Sequence, residues 1–326
     1  MNWGIMATGS IAEKFAATVN KMESEGEYLK AVASRTMDSA CSFAEKHKVQ
    51  NLFGSYESMV LSDCIDAVYI ATPNNMHYEN AKMCLLAGKN VLCEKPFTTN
   101  AAQAEDLYRL AEEKGLFIME AFWIRFLPVL QKMRSIIEEG QLGEIKFARS
   151  DYGFITQGSR EKRKFASELG GGALLDIGIY NLGFMNMVMG CMPESFESDV
   201  HINEYGTDDF SVIRLHYPEG AEAVVTTAIG LAMQRNAAVI GTKGAVYLND
   251  FQKAESMTVR LNSGEEYNVN IPFDINGFEY QIREVSACVK NHQCHSRVYT
   301  PEMSLQTLTL MDDIRSGWDM KFSFEC

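Results

Sequence analysis

Over its first 120 residues the chain alternates between two hydrophobic periods, and that alternation restricts the possible folds more than any other feature. Short apolar runs stand at "WGIMA", "YLKAVAS", "DAVYIAT", "NVLCE" and "LFIMEA". Helical patterns separate them, at Ser10–Lys21, Met37–Lys46, Ser55–Ser62, Tyr78–Ala87 and Asn100–Lys114. Strand alternating with helix means βαβ units, hence a parallel sheet with right-handed crossovers and helices on both faces. After Phe122 the pattern changes to a helix at Leu127–Glu139, a strand at Glu144–Phe154, a loop holding "REKRK" and a helix after the glycines at 170–172. From Phe196 to Ile271 strand follows strand: "VIRLHY", "EAVVTTAI", "NAAVIGT", "GAVYLND", "SMTVRL" and "YNVNIP". Consecutive strands predict an antiparallel sheet, so this half is α+β. Helices near Gly277–Lys290 and Pro301–Ser316 follow. The expected class is therefore α/β over 1–120, followed by an α+β domain over 121–326.

The bulk numbers narrow the partners. A chain of 326 residues suffices for two ordinary domains. A net charge of −13 repels phosphate backbones, so nucleic acid is not an expected partner. No apolar run approaches the length of a membrane helix, and "MNWGIMATGS" lacks the pattern of an export signal, so no membrane is expected. The 8 cysteines lie mostly in strand or helix patterns and form no C-x-x-C pair, which fits a reduced, cytoplasmic protein.

"MATGSIA" follows the first strand and opens the first helix. Ala7, Gly9 and Ala12 occupy the three positions of a G-x-G-x-x-G/A fingerprint, with Ala7 departing from the usual glycine. The turn Ala7, Thr8, Gly9, Ser10, Ile11 reads as a pyrophosphate cradle, which makes 1–120 a Rossmann dinucleotide-binding domain. An ordinary strand–helix turn is the alternative. At the end of the second strand stand Ser34, Arg35 and Thr36, where an NAD enzyme carries an acid for the ribose 2′-hydroxyl. A guanidinium pairs with a 2′-phosphate, so the expected cofactor is NADP(H) with Arg35 as selector; a solvated arginine is the bland alternative. "ATPNNMH" places Thr72, Pro73, Asn74 and His77 at the next strand end as cofactor-binding residues, Pro73 and Asn74 beside the ribose or nicotinamide, with His77 also capping or bracing the following helix. Glu94 and Lys95, in "EKP", end the strand after that on the same rim, so Lys95 points toward the nicotinamide position.

"GGGALLDIGIYNL" adds Asp176 and Tyr180, four apart and so on one helix face. Lys95, Tyr180 and Asp176 make a plausible proton-transfer set for a nicotinamide enzyme; the pair on the helix also reads as a capping pair at a packed turn. Trp123 and Arg125, in "FWIRF", suit an aromatic wall for a sugar ring or aromatic diol, and read equally as interface packing.

In order and spacing, "GIMATGSIA", "ATPNNMH", "EKP", "EAFWIRFLP", "GGGALLDIGIY" and "SLQTLTLMDDIRSGW" resemble the glucose–fructose oxidoreductase/inositol dehydrogenase (Gfo/Idh/MocA) family over nearly the whole chain. "AVASR", "EAFWIRFLP" and "DIGIY" look most like its NADP-dependent dihydrodiol dehydrogenase and D-xylose dehydrogenase branch. Many relatives carry His where Tyr180 stands, which argues against inositol-type substrates. The resemblance implies an open, mostly antiparallel sheet in a C-terminal domain that binds substrate. It implies a homodimer or homotetramer through that sheet. The helix near 301–316 is expected to pack back on the first domain. It also implies a catalytic Lys95, often in a cis Lys–Pro bond.

On this reading Tyr180 takes or returns the proton of a substrate hydroxyl. A free tyrosine titrates near pH ~10 and needs the Lys95 ammonium and the cofactor's positive ring to lower it. Lys95 also stabilises charge developing on the substrate oxygen, and Asp176 orients a substrate hydroxyl or the lysine. No metal is expected: Cys288, His292, Cys294 and His295 would have to fold back sharply to share an ion. "REKRK" at 160–164 reads as a solvated loop or a lid. The expected function is an NADP-dependent oxidoreductase acting on CH–OH groups of a small sugar-like or cyclic diol substrate. A non-catalytic NADP(H) sensor and a nicotinamide-assisted glycosidase are the competing classes.

Overall fold

The computed structural model describes residues 1–156 and 163–325. The chain forms two compact units, Met1–Trp123 with Asp274–Leu305, and Ile124–Phe273 with Gln306–Cys326.

The first unit strings together β1 (Asn2–Met6), α1 (Ser10–Val19), β2 (Tyr28–Ala33), α2 (Met37–His47), β3 (Asn51–Phe53), α3 (Tyr56–Val60) and β4 (Ala67–Ile70). It continues through α4 (His77–Leu86), β5 (Asn90–Cys93), α5 (Ala101–Lys114) and β6 (Ile118–Glu120). The strands form one six-stranded sheet in the order β3-β2-β1-β4-β5-β6, with parallel pairing throughout. The winding direction therefore reverses between β1 and β4, which makes the carboxyl ends of those strands the ligand-binding crevice of such a sheet. Residues of β4 are all buried, as a parallel strand covered on both faces requires. Trp3 meets Phe15 edge-on at 5.2 Å, and Phe15 stacks on Tyr69 at 3.8 Å. Burying each such side chain contributes about 2–3 kcal/mol. Local chemistry sets the helix ends: Thr36, Ser55 and Asn100 accept the amides of Ser39, Ser58 and Gln103, and Gly115 ends α5 in the left-handed region. The short edge strand β3 is absent from the sequence expectation, because three half-buried residues carry no periodic signal.

The second unit holds α6 (Pro128–Glu138), β7 (Ile145–Phe154), α7 (Ile179–Met189), β8 (Ser195–Ile202), β9 (Asp208–His216) and β10 (Glu222–Ile229). Strands β11 (Ala237–Gly241), β12 (Gly244–Leu248), β13 (Ser256–Leu261) and β14 (Glu266–Asn270) complete it. Its eight-stranded sheet runs β14-β13-β12-β11-β7-β10-β9-β8. Every pair is antiparallel except β7 with β10, so the sheet is mixed at its centre. Strand β8, "SFESDVHI", lies at the start of the run expected from Phe196 but was not singled out; it is a polar edge strand with little buried surface to mark it.

Three expectations need correction. Residues 274–305 belong with the first unit rather than with the whole of 121–326, because α8 (Glu279–Lys290) and its approach are tied to the first unit's own helix and strand ends. Arg283 pairs with Glu25 at 2.7 Å, Ser286 donates to Glu27 at 2.6 Å, and Asn276 donates to Thr18 at 2.8 Å. The helix after the glycines opens as a π turn, Leu174–Gly178, before α7 begins. The helical stretch Ser167–Met189 is apolar and long enough by composition to cross a membrane, although 83% of its most apolar window is buried inside the protein, as in a core helix. The last helix, α9, spans Pro301–Gly317.

Candidate active site

At the end of β1 the backbone turns through Ala7, whose φ of 75° lies in the left-handed region that glycine usually fills, and the Ala7 amide donates to the Ala33 carbonyl at 2.9 Å. Gly9 is the N-cap of α1, and no side chain caps that helix. Thus α1 differs from α2, α3 and α5, whose caps occupy first-turn amides. A Cβ on Gly9 would meet nothing within 4 Å, and Gly9 and Ser10 are exposed. Exposed helix amides with no side chain in front of them suit a pyrophosphate, so Thr8 to Ile11 fit the expected cradle.

The end of β2 presents Arg35 to solvent and carries no carboxylate at 34–36. Ser34 is buried and donates its amide to the Phe53 carbonyl at 3.1 Å. The Thr36 hydroxyl is spent within α2, donating to Ser39 Oγ at 2.9 Å and accepting the Ser39 amide. At the end of β4, Thr72 accepts from Asn80 Nδ2 at 3.0 Å, and Pro73 and Asn74 open the short helical turn that leads into α4. His77 is 1% exposed, with both ring nitrogens on main-chain carbonyls: Nδ1 is 2.7 Å from Pro96 and Nε2 2.9 Å from Thr72. That corrects its placement among cofactor-binding residues: the ring braces two strand ends and has no nitrogen left for a ligand. Burial holds its pKa below the ordinary value, with the two carbonyls acting in the opposite direction.

Lys95 follows β5, in a cis bond to Pro96, and is half-buried. The carboxylate of Glu94 accepts the Tyr69 hydroxyl and, at 3.3 Å, the Lys95 amide. The Glu94 carboxylate is thus held by its own protein. The Phe97 amide donates to Glu120 Oε1 at 3.0 Å. Burial raises the pKa of both carboxyls, and the positive charge of Lys95 acts against it on each.

In the second unit Gly171 and Gly172 make room for the protein itself. A Cβ on Gly171 would lie 2.6 Å from the Lys164 carbonyl oxygen, and one on Gly172 (φ 113°) 2.4 Å from Asp208 Oδ1. Asp208 is wholly buried, and its Oδ2 accepts the Leu174 amide at 2.7 Å at the start of the π turn. Burial pushes its carboxyl up to about 7, against the pull of neighbouring amides. Asp176, in that turn, is ion-paired with Lys164. Tyr180, in the first turn of α7, is nearly buried, with its ring 5.9 Å from Tyr152. Tyr152 in turn lies under the Arg235 guanidinium at 5.2 Å.

Lys95 belongs to the first unit, and Asp176 and Tyr180 to the second. Trp123 and Arg125 are each only 4% exposed. Trp123 packs 5.1 Å from Phe278, with Lys14 Nζ 4.4 Å from its ring centre. The Arg125 carbonyl accepts the Gln131 amide. Both side chains are buried, and Trp123 packs within its own unit. Of "REKRK", residues 160–162 lie outside the described residues. Cys288 faces Glu284 while His295 faces Glu112, and among the described residues no three His, Cys, Asp or Glu side chains converge as metal ligands.

Sequence reasoning missed Lys164, Glu120 and Asp208. A lone acid inside the apolar run "LFIMEA" was a readable signal for Glu120, since a buried carboxylate needs donors. Lys164 and Asp208 carried no local signal, because their partners are 12 and 34 residues away.

A parallel sheet in this strand order, with an uncapped glycine turn at its switch point, defines a dinucleotide-binding domain. The chain belongs to the GFO/IDH/MocA family. The model of an "Oxidoreductase family, NAD-binding Rossmann fold" matches residues 1–122, and that of the "GFO/IDH/MocA C-terminal domain" matches 130–247. The chain is 33% identical over 320 residues to trans-1,2-dihydrobenzene-1,2-diol dehydrogenase of Xenopus laevis, covering 95% of this chain and 96% of that one. It is 32% identical over 329 residues to the human enzyme of the same name, covering 99% and 98%. Among solved structures it is similar to KijD10, a 3-ketoreductase from Actinomadura kijaniata in complex with NADP and TDP-benzene. The identity there is 26%, the TM-score 0.86 and the coverage 97% of each chain.

Proposed function

We propose that the protein is an NADP-dependent oxidoreductase that interconverts a hydroxyl and a carbonyl on a sugar-like or cyclic diol substrate. Lys95, Tyr180 and Asp176 handle proton and charge. The observation that carries the reading is the fixed turn that places Lys95 on the carboxyl rim of the parallel sheet, where such sheets bind ligands. Similarity to dihydrodiol dehydrogenases and to an NADP-bound 3-ketoreductase supports the substrate class. The exposed Arg35, with no acid beside it, supports NADP(H) over NAD(H).

Thr8 to Ile11 would hold the pyrophosphate on the amides of α1, and Arg35 the 2′-phosphate. When bound, the nicotinamide supplies or accepts the hydride. In the oxidative direction Tyr180 takes the proton from the substrate hydroxyl, and in the reductive direction it returns one to the carbonyl oxygen. The Lys95 ammonium donates to that same oxygen and stabilises the negative charge on it. Asp176 holds the Lys164 ammonium and orients its end of the π turn.

A homodimer or homotetramer through the eight-stranded sheet belongs to the same reading, and sedimentation of the purified protein tests it. So does a cytoplasmic location: seven cysteines of the described residues are free thiols, which suits a reducing compartment. The decisive experiment is a panel of aldoses, cyclic diols and dicarbonyls, run with NADP+ or NADPH and followed by the absorbance of reduced nicotinamide. Turnover with a diol, sugar or dicarbonyl, faster with NADP(H) than NAD(H), is the expected result. NADPH binding without any turnover would make the protein a sensor, and sugar release without net NADPH change would make it a glycosidase.

A further inference from the structure

We propose that Glu120 is a positioning residue for Lys95: its carboxylate holds the Phe97 amide and so fixes the turn that carries the lysine. The proposal rests on the reading of Lys95 as the catalytic lysine.

Glu120 ends β6, directly opposite Cys93 of β5, and is wholly buried. A carboxyl in such a place is costly unless it is hydrogen-bonded, and Glu120 meets three donors. The two oxygens divide the work. Oε2 accepts the Tyr299 hydroxyl at 2.7 Å and the Ser304 hydroxyl at 2.6 Å. These two bonds lock the side chain, leaving Oε1 directed at the Phe97 amide at 3.0 Å. Along the turn, successive main-chain groups are then held by buried side chains: the Lys95 amide by Glu94, the Pro96 carbonyl by His77 and the Phe97 amide by Glu120. Glu120 is the member that grips the turn from its far side, two residues past the lysine. Displacing a catalytic group by about 1 Å can cost on the order of a hundred-fold in rate.

The test separates reach from charge. Glu120→Gln keeps the length and an oxygen for the Phe97 amide; Glu120→Asp keeps the charge but draws back by one methylene. The two are compared with wild type and Lys95→Ala for kcat, KM and NADPH Kd, with kcat expressed per cofactor-binding site. The expected result is a Glu120→Asp kcat lowered on the order of ten-fold or more, with KM and NADPH Kd within about two-fold of wild type. Glu120→Gln is expected within about three-fold of the wild-type kcat. Equal activity of all three Glu120 forms overturns the proposal, as does loss in Glu120→Gln with retention in Glu120→Asp. If Glu120→Asp does not fold, the double variant Tyr299→Phe, Ser304→Ala unlocks Oε2 without touching Oε1. It is expected to lower kcat with KM unchanged, and wild-type kcat in it overturns the proposal. The failures are distinguishable: if Lys95→Ala keeps its turnover, the catalytic reading of Lys95 falls. If Lys95→Ala is inactive while Glu120→Asp matches wild type, only the positioning role falls.

Discussion

His77 Nδ1 lies 2.7 Å from the Pro96 carbonyl oxygen, and its other ring nitrogen reaches the Thr72 carbonyl at 2.9 Å. One buried ring thus joins the loop after β4 to the turn after β5. Replacing it with phenylalanine keeps the volume and removes the ring's N–H, leaving a buried carbonyl without its donor. His77→Phe is expected to lower stability by about 1–3 kcal/mol, read as a lower urea midpoint. An unchanged midpoint would show that the bridge is energetically silent.

Ala7 adopts a left-handed backbone at φ 75°, where a Cβ is strained and glycine is not. Glycine also has more freedom to lose on folding, so the gain is partial. Ala7→Gly is expected to raise stability by roughly 0.5–1 kcal/mol, seen as a higher urea midpoint at unchanged slope. A lower midpoint would mean that the alanine methyl makes a packing contribution larger than the strain.

Arg35 stands exposed at the end of β2, and the proposed function gives it the 2′-phosphate of NADP(H). Arg35→Asp is expected to weaken NADPH by on the order of a hundred-fold, through loss of a charge-assisted pair and gain of repulsion. NADH is expected to change little. Fluorescence titration with both cofactors measures this, and equal weakening would remove Arg35 as selector.

Both sheets were legible in the sequence because their periods differ: alternating strand and helix in "WGIMATGSIAEKF", strand after strand in "EAVVTTAI" and "NAAVIGT". Strands that bury little, Asn51–Phe53 and Ser195–Ile202, were not, since hydrophobic contrast is what periodicity reads. The candidate site was legible as residues at strand ends, Gly9, Arg35 and Lys95. It was misread where a residue is used by the protein itself. His77 and Glu94 carry ligand-like chemistry and spend it on the backbone and on Tyr69. Gly172 reads as ligand clearance, and the group it clears is Asp208, 36 residues on. Such partners are tertiary, and no local window contains them.

Asp208 also makes stability depend on pH. Its carboxyl is pushed up to about 7 in the folded chain by burial, against an unfolded value near ~4. Between those values the folded state holds the extra proton, so this residue's contribution to stability falls as pH rises from about 4 to about 7 and is constant above. The full effect is bounded by roughly 4 kcal/mol. An asparagine at this position would keep a carbonyl for the Leu174 amide and cannot titrate. Asp208→Asn is therefore expected to gain stability relative to wild type between about pH 5 and about pH 8, measured by urea unfolding at both. A constant difference would place the Asp208 pKa outside that window.

In the proposed mechanism Lys95 steadies charge on the substrate oxygen rather than anchoring the cofactor. The most direct measurement is kcat and NADPH Kd for Lys95→Ala on the best substrate of the panel. The expected result is a kcat lowered by about 10²–10⁴-fold with Kd within about two-fold of wild type. Turnover close to wild type, or a loss that lies wholly in NADPH affinity, would contradict it.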